Sequence, residues 1–171
     1  EGVVQDGSRT AEGEDSGAIL YFDTTSDATV EARVGISFVS TGRAQLNLNE
    51  EVGDDTFDGV RARASDAWND RLNRLRITAD PDVMVQLYTA LYHTMFQPAD
   101  YAETQGCYTV ASSGLPVTLN AGGRPYFIDD WCMWDTYRTS HPLGTILEPE
   151  IRADVVASML DIYAQGGWLP K

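Results

Sequence analysis

Lysine is nearly missing from this chain. Its one copy, Lys171, is the last of 12 basic residues set against 26 acidic ones, for a net charge of -14 at pH 7. Such a balance argues against a nucleic-acid or anionic-membrane surface, which works by clustered Lys and Arg, and leaves neutral substrates open. Cysteine is scarce as well: Cys107 and Cys132 are too few to define a disulfide framework, and since they flank one loop, geometry decides whether they bridge. No apolar run approaches the roughly 18 to 20 residues of a membrane-spanning helix. No signal-peptide pattern occurs either, so these residues read as mature or internal sequence. The acidic excess gathers around Glu12, Glu14 and Asp15 and again around Glu50, Glu51, Asp54 and Asp55, as expected of solvated loops. A salt-rich habitat and a GC-rich genome would each produce the same bias.

What is present is enough apolar material for a core: 43% of 171 residues are hydrophobic, at the size of one ordinary domain. Residues 19–22 form a short apolar run and residues 23–27 a polar turn. Val30, Ala32, Val34, Ile36 and Phe38 then alternate with polar or small residues, which predicts a half-buried strand with the apolar set inward. That face needs a second sheet or a helix layer to cover it, and few further strands follow, so its partners are expected upstream.

The period changes at Ser40 or Thr41. Ala44 and Leu48 open a short helix, and Asp54 or Asp55 is the expected cap of a longer one with Phe57, Val60, Ala64, Trp68, Leu72 and Leu75 on one face. Trp68 belongs to helix packing on this pattern, while Arg71, Arg74 and neighbouring arginines are placed on a solvated surface laced with weak ion pairs. Asp80-Pro81 starts a further helix with Val83, Leu87, Leu91 and Met95 as its buried stripe, ended by Pro98. His93 is read as a packed structural residue. Residues 100–128 lose the helical period, and short strands are expected at 107–111 and 115–119 with a tip near Gly122-Gly123, an excursion placed to shape the rim of a pocket. A last helix begins at Glu148-Pro149-Glu150, where the acids suit the first turn, buries Ile151, Val155, Met159 and Ile162, and stops at Gly166-Gly167. Trp168 follows in the loop, where an indole can line a site or plug the helix end. Helices joined in this manner suit an alpha/alpha barrel and an ordinary bundle equally.

The segment Asp129-Asp130-Trp131-Cys132-Met133-Trp134-Asp135-Thr136-Tyr137-Arg138 is the most chemical part of the chain. At helical spacing, with Asp129-Asp130 as the cap, Trp131, Asp135 and Arg138 share one face. A carboxylate and a guanidinium can grip adjacent hydroxyls, and an indole offers a flat apolar surface to the C–H side of a pyranose. The same three residues could instead form a core helix with an internal ion pair, and the residues alone leave both readings open.

Five segments in order, Val34-Gly35-Ile36-Ser37-Phe38-Val39-Ser40, Trp68-Asn69-Asp70-Arg71-Leu72, Tyr88-Thr89-Ala90-Leu91-Tyr92-His93-Thr94, the run from Trp134 through Arg138 to Leu143, and Gly166-Gly167-Trp168-Leu169-Pro170, resemble glycoside hydrolase family 92. The resemblance covers residues 21–171 and is most specific at 134–138 and 166–170. It implies a calcium-dependent, exo-acting alpha-mannosidase that removes terminal alpha-linked mannose from N-glycans or mannans with inversion, in a secreted or periplasmic setting. It also implies an α+β, mostly helical fold: the end of a β-sandwich over residues 1–40, linking helices over 41–79, and the first helices of an (α/α)6 barrel over 80–171.

Family members are several times longer, so the chain is expected to be an internal fragment, inactive alone. Their general acid, a Glu, and general base, an Asp, belong to later barrel segments, and no catalytic residue is assigned here. The resemblance gives Asp135 the role of ligand to sugar hydroxyls, with Trp134 as wall, Arg138 as orienting partner and Trp168 as a further lining residue. Calcium is implied, yet Asp129, Asp130 and Asp135 lack the spacing of a calcium loop, and no ligand is assigned. Another (α/α)6 glycoside hydrolase, or a non-catalytic carbohydrate-binding or truncated protein, remains an alternative.

Overall fold

In the computed structural model the described residues are 7, 10, 13, 17–106, 108–109, 116–117, 123–128 and 133–169. The chain divides into two units, Glu1–Ala32 and Arg33–Lys171. In the first, the described residues hold no helix or strand, and Tyr21 is 87% exposed within the apolar run. The polar turn is held locally: Asp23 Oδ1 accepts from the Thr25 amide at 3.0 Å and hydroxyl at 2.6 Å, and Asp27 Oδ1 accepts from the Thr29 amide at 2.9 Å.

The second unit is mostly helical, and it corrects the expected strand at its start. Residues 33–39 lie beside helix α1 (Thr41–Glu51) without pairing to any strand among the described residues. The two-residue alternation survives, but its faces are reversed: Gly35, Ser37 and Val39 are half-buried, while Val34, Ile36 and Phe38 are 77%, 71% and 64% exposed. Gly35 permits this approach, because a Cβ there would collide with the Ala44 carbonyl and stand 2.8 Å from Leu48 Cβ. Asn47, buried on α1, fixes the segment by donating from Nδ2 to the Ile36 carbonyl at 3.0 Å. Hydrogen bonding to a helix side chain has replaced the ladder that an apolar inward face would need.

Helix α1 is capped by Ser40, whose Oγ accepts from the Arg43 amide at 3.2 Å. Helix α2 (Phe57–Leu72) is capped by Thr56, accepting from the Gly59 amide at 3.1 Å, slightly later than the expected Asp54 or Asp55. Helix α3 (Pro81–Thr94) starts as expected at Asp80-Pro81 and buries Leu91 and Met95, although Val83 is left 50% exposed. Trp68 packs α2 on α3, edge-on to Tyr92 at 4.6 Å. His93 is exposed, contrary to its reading as a packed residue; its ring lies alongside Phe96 with centroids 6.0 Å apart.

The excursion after α3 is closed at its base by a ladder that the sequence does not announce. Strand β1 (Ala99–Asp100) pairs antiparallel with β4 (Phe127–Ile128), extended by the Tyr101 amide donating to the Tyr126 carbonyl at 2.8 Å. Within it, β2 (Tyr108–Thr109) pairs with β3 (Pro116–Val117), inside the two expected strand ranges. Tyr126, 1% exposed, centres a small core with Tyr101, Ile128 and Ile162. Helices α4 (Met133–Thr136), α5 (Ser140–Leu147) and α6 (Pro149–Gly166) complete the unit, and Gly167 ends α6 in the left-handed conformation at φ 77°. Both α5 and β4 pack on α6. Ser158, fully buried on α6, accepts from the Phe127 amide at 3.0 Å and donates to the Asp154 carbonyl at 2.7 Å.

Two arginines placed by sequence on a solvated face turn out to be clamps. Arg71 Nε and Nη2 donate to the two oxygens of Glu148 at 2.7 and 2.8 Å, and Glu148 is 3% exposed. Arg74 donates to the Leu147 carbonyl at 3.0 Å and pairs with Glu150. The end of α2 and the turn that follows it thereby grip the corner between α5 and α6. Glu148 is also the residue that opens α6, but its carboxylate makes no cap bond because Arg71 holds it.

Candidate functional site

The chain from Met133 to Arg138 does not form one continuous helix face. Helix α4 is a single turn that ends at Thr136, and a turn at residues 137–139 separates it from α5. Arg138 therefore lies beyond the helix, and Trp131 lies outside the described residues, together with Asp129, Asp130, Cys132 and Cys107. Arg138 Nε donates to the Tyr137 hydroxyl at 2.9 Å, and its guanidinium carbon stands 5.5 Å from that ring's centre. The expected Asp135–Arg138 face is thus not what the backbone builds: arginine stacks on its neighbour.

Trp134 is 69% exposed, and Asp135 and Arg138 are exposed beside it. An exposed carboxylate is acceptor-only and suits hydroxyl donors, and a projecting indole face suits the C–H side of a ring. Trp168 is 83% exposed, just past the helix end at which the Gly167 amide donates to the Tyr163 carbonyl at 2.7 Å. Roughly 20 Å of α6, at 1.5 Å per residue, separates that end from Arg152 near the helix start.

Beneath the exposed turn lies a polar connection that sequence reasoning missed. The Thr136 hydroxyl and His141 Nε2 are 2.8 Å apart, and His141 Nδ1 faces Arg152 Nη1 at 3.4 Å. The Thr145 hydroxyl donates to the His141 carbonyl at 2.8 Å, fixing the ring's backbone. Gly144, buried on α5, leaves room for the arginine: a Cβ there would lie within 2.5 Å of Arg152 Cζ. These contacts join α4, α5 and α6, so no helical spacing could reveal them; the adjacent His141-Pro142 pair was the one visible signal.

A cleft of about 170 Å³ lies between residues 34–38, α1 and residues 100–103. Of the acids that line it, Glu103 accepts from the Ser37 hydroxyl at 2.7 Å and the Phe38 amide at 2.8 Å. Phe38 stacks on Tyr101 at 4.9 Å beside it. This arrangement fastens the extended segment to the excursion. Among the described residues, no group of three or more His, Cys, Asp or Glu gathers as a metal site would require.

The family model for the glycosyl hydrolase family 92 catalytic domain matches residues 43–171. An uncharacterized secreted glycosidase of Arthroderma benhamiae is 28% identical over 130 residues, which is 72% of this chain and 15% of that protein. A solved family 92 glycosyl hydrolase is 31% identical, with a TM-score of 0.65 over 75% of this chain and 17% of its own. A family 92 alpha-mannosidase from Bacteroides thetaiotaomicron is 28% identical, with a TM-score of 0.69 over 76% of this chain and 17% of its own. The same enzyme solved with mannoimidazole gives the same identity and TM-score, over 16% of its chain. The chain thus spans only 15% to 17% of the length of these relatives.

Proposed function

The chain belongs to glycosyl hydrolase family 92, and from that membership we propose that it is part of an exo-acting alpha-mannosidase releasing terminal mannose from N-glycans or mannans with inversion. The observation that carries this reading is the likeness, at 28% identity and a TM-score of 0.69, to an alpha-mannosidase solved with mannoimidazole. In this reading residues 1–40 close an N-terminal β-sandwich, 41–79 link it onward and 80–171 begin an (α/α)6 barrel. The helices support it: α3 leaves Val85 66% exposed, and α6 leaves Val156 and Leu160 52% and 57% exposed. Apolar helix faces of this kind suit burial by further barrel helices.

Within the pocket, Asp135 accepts hydrogen bonds from hydroxyls of the terminal mannose, Trp134 forms a wall against the ring, Arg138 orients, and Trp168 adds to the lining. Inversion needs an acid and a base roughly 6.5 to 9.5 Å apart with a water between them. Those carboxyls come from outside this chain, and no residue of it is assigned as a ligand of the calcium that the family uses. The chain's own contribution is to hold the sugar in the geometry those groups require, which raises the rate when the grip tightens toward the transition state. Secretion accords with the description of the Arthroderma relative as a secreted glycosidase.

The test is Asp135→Ala in the full-length protein, assayed on an aryl alpha-mannoside and on mannobiose. Turnover is expected to fall by about a hundredfold, the scale of a lost positioning contact, with circular dichroism and melting temperature unchanged. Wild-type turnover in that variant would overturn the sugar-contact assignment.

A further inference from the structure

The connection under the exposed turn has a direction. Arg152 carries only donors, so the His141 Nδ1 that faces its Nη1 at 3.4 Å presents a lone pair. The ring hydrogen then sits on Nε2, which donates to the Thr136 hydroxyl 2.8 Å away. Thr136 is the residue after Asp135 and the last of α4, so whatever fixes its side chain also fixes the backbone that carries the Asp135 carboxylate. The histidine is half-buried near the start of α5, and the arginine that orients it leaves α6 through the space kept open by Gly144. Helices α5 and α6 thereby converge on a one-turn helix too short to hold its own orientation.

We infer that His141 is a positioning residue: through Thr136 it holds the turn that bears Trp134 and Asp135 in register with the sugar, and Arg152 holds His141 in the tautomer that does so. This rests on the reading of Asp135 as a mannose contact. A misplacement of about 1 Å at such a site costs on the order of a hundredfold in rate even when the displaced residue never touches substrate.

The experiment uses the full-length enzyme with His141→Leu, His141→Gln and Thr136→Val, each made in the wild-type and the Asp135→Ala background, and reads kcat and KM on an aryl alpha-mannoside. His141→Leu is expected to lower kcat/KM about thirtyfold, Thr136→Val to do nearly the same, and His141→Gln, whose amide still donates to Thr136, to recover to within about threefold of wild type. In the Asp135→Ala background none of the three should produce a further change beyond twofold, because two residues acting through one contact are not additive. A full additional loss in that background would show His141 acting elsewhere and overturn the inference, as would normal turnover in both His141→Leu and Thr136→Val. Should His141→Leu fail to fold, Thr136→Val alone decides by the same comparison. If Asp135→Ala itself is harmless, the sugar-contact reading falls and takes this inference with it; if Asp135→Ala is crippled while Thr136→Val is not, only the inference falls.

Discussion

Arg71→Ala is expected to loosen the α5–α6 corner far more than Glu148→Gln, although both break the same ion pair. Removing the arginine leaves the Glu148 carboxylate, 3% exposed, without its partner. An uncompensated buried charge of this kind costs roughly 3 to 5 kcal/mol. The Arg71 side chain is 34% exposed, so water enters part of the space it vacates and the loss falls near the lower limit, about 3 kcal/mol. Glu148→Gln removes the charge but keeps an amide oxygen for one guanidinium donor, and the arginine left behind can be hydrated from its exposed side. Its cost is about 1 kcal/mol, that of one weakened hydrogen bond. The assay is hydrogen exchange on peptides spanning residues 140–152 in the full-length protein, since local opening reports this corner where a global melt would average it. A 3 kcal/mol loss speeds exchange roughly 150-fold and 1 kcal/mol about fivefold. Equal effects, or a larger one for Glu148→Gln, would refute the argument from unequal burial.

Ser158→Ala removes the hydroxyl that accepts from the Phe127 amide and leaves that donor buried, so a loss of about 1 to 3 kcal/mol is expected, read as faster exchange at residues 126–128. Gly35→Ala forces residues 33–39 away from the Ala44 carbonyl and is expected to cost about 1 to 3 kcal/mol, visible as earlier proteolytic cutting of that segment. Glu150 is held below its ordinary carboxyl value of 4.5, first by its own backbone amide and then by Arg74. A lowered pKa contributes stability above the unfolded value and loses it as the pH falls through the folded one. The melting difference between wild type and Glu150→Gln should therefore be complete at neutral pH, begin to shrink as the pH falls through 4.5, and vanish only below the lower folded value.

Local signals in the sequence were carried faithfully into the fold. Asp80-Pro81 starts a helix because cap and fixed φ act within one turn, Gly167 ends one because it alone adopts the left-handed φ there at no cost, and Trp68 packs, edge-on to Tyr92 and Phe96. What escaped depended on residues far apart in the chain. Arg71 looks solvated on a helical wheel because its partner is Glu148, and no periodicity joins those two positions. Residues 33–39 kept the extended backbone implied by their alternation, but their inward face is set by Gly35 meeting α1, which hydropathy cannot weigh. Helix α5 was hidden by Pro142 and Gly144; the proline falls in the first turn, where a missing N–H breaks no helical bond, and the glycine faces Arg152. At the candidate site the residue types were legible, while the single-turn α4 and its fastening through His141 were not, since both arise from packing between elements.

The short ladder between Ala99–Asp100 and Phe127–Ile128 shuts the excursion like the neck of a bag. Asp100 Oδ1 accepts the Tyr126 amide at 3.0 Å and the Ala102 amide at 2.9 Å, so both ends of the neck are tied to one carboxylate. Closing a loop costs little more as it grows, about 0.6 kcal/mol for each doubling of its length. Residues inside the neck can thus be inserted, lost or exchanged while α3 and α6 on either side keep their places. The neck makes this stretch a graft point, at which a lineage can recut one border of the molecule without rebuilding the frame that carries it.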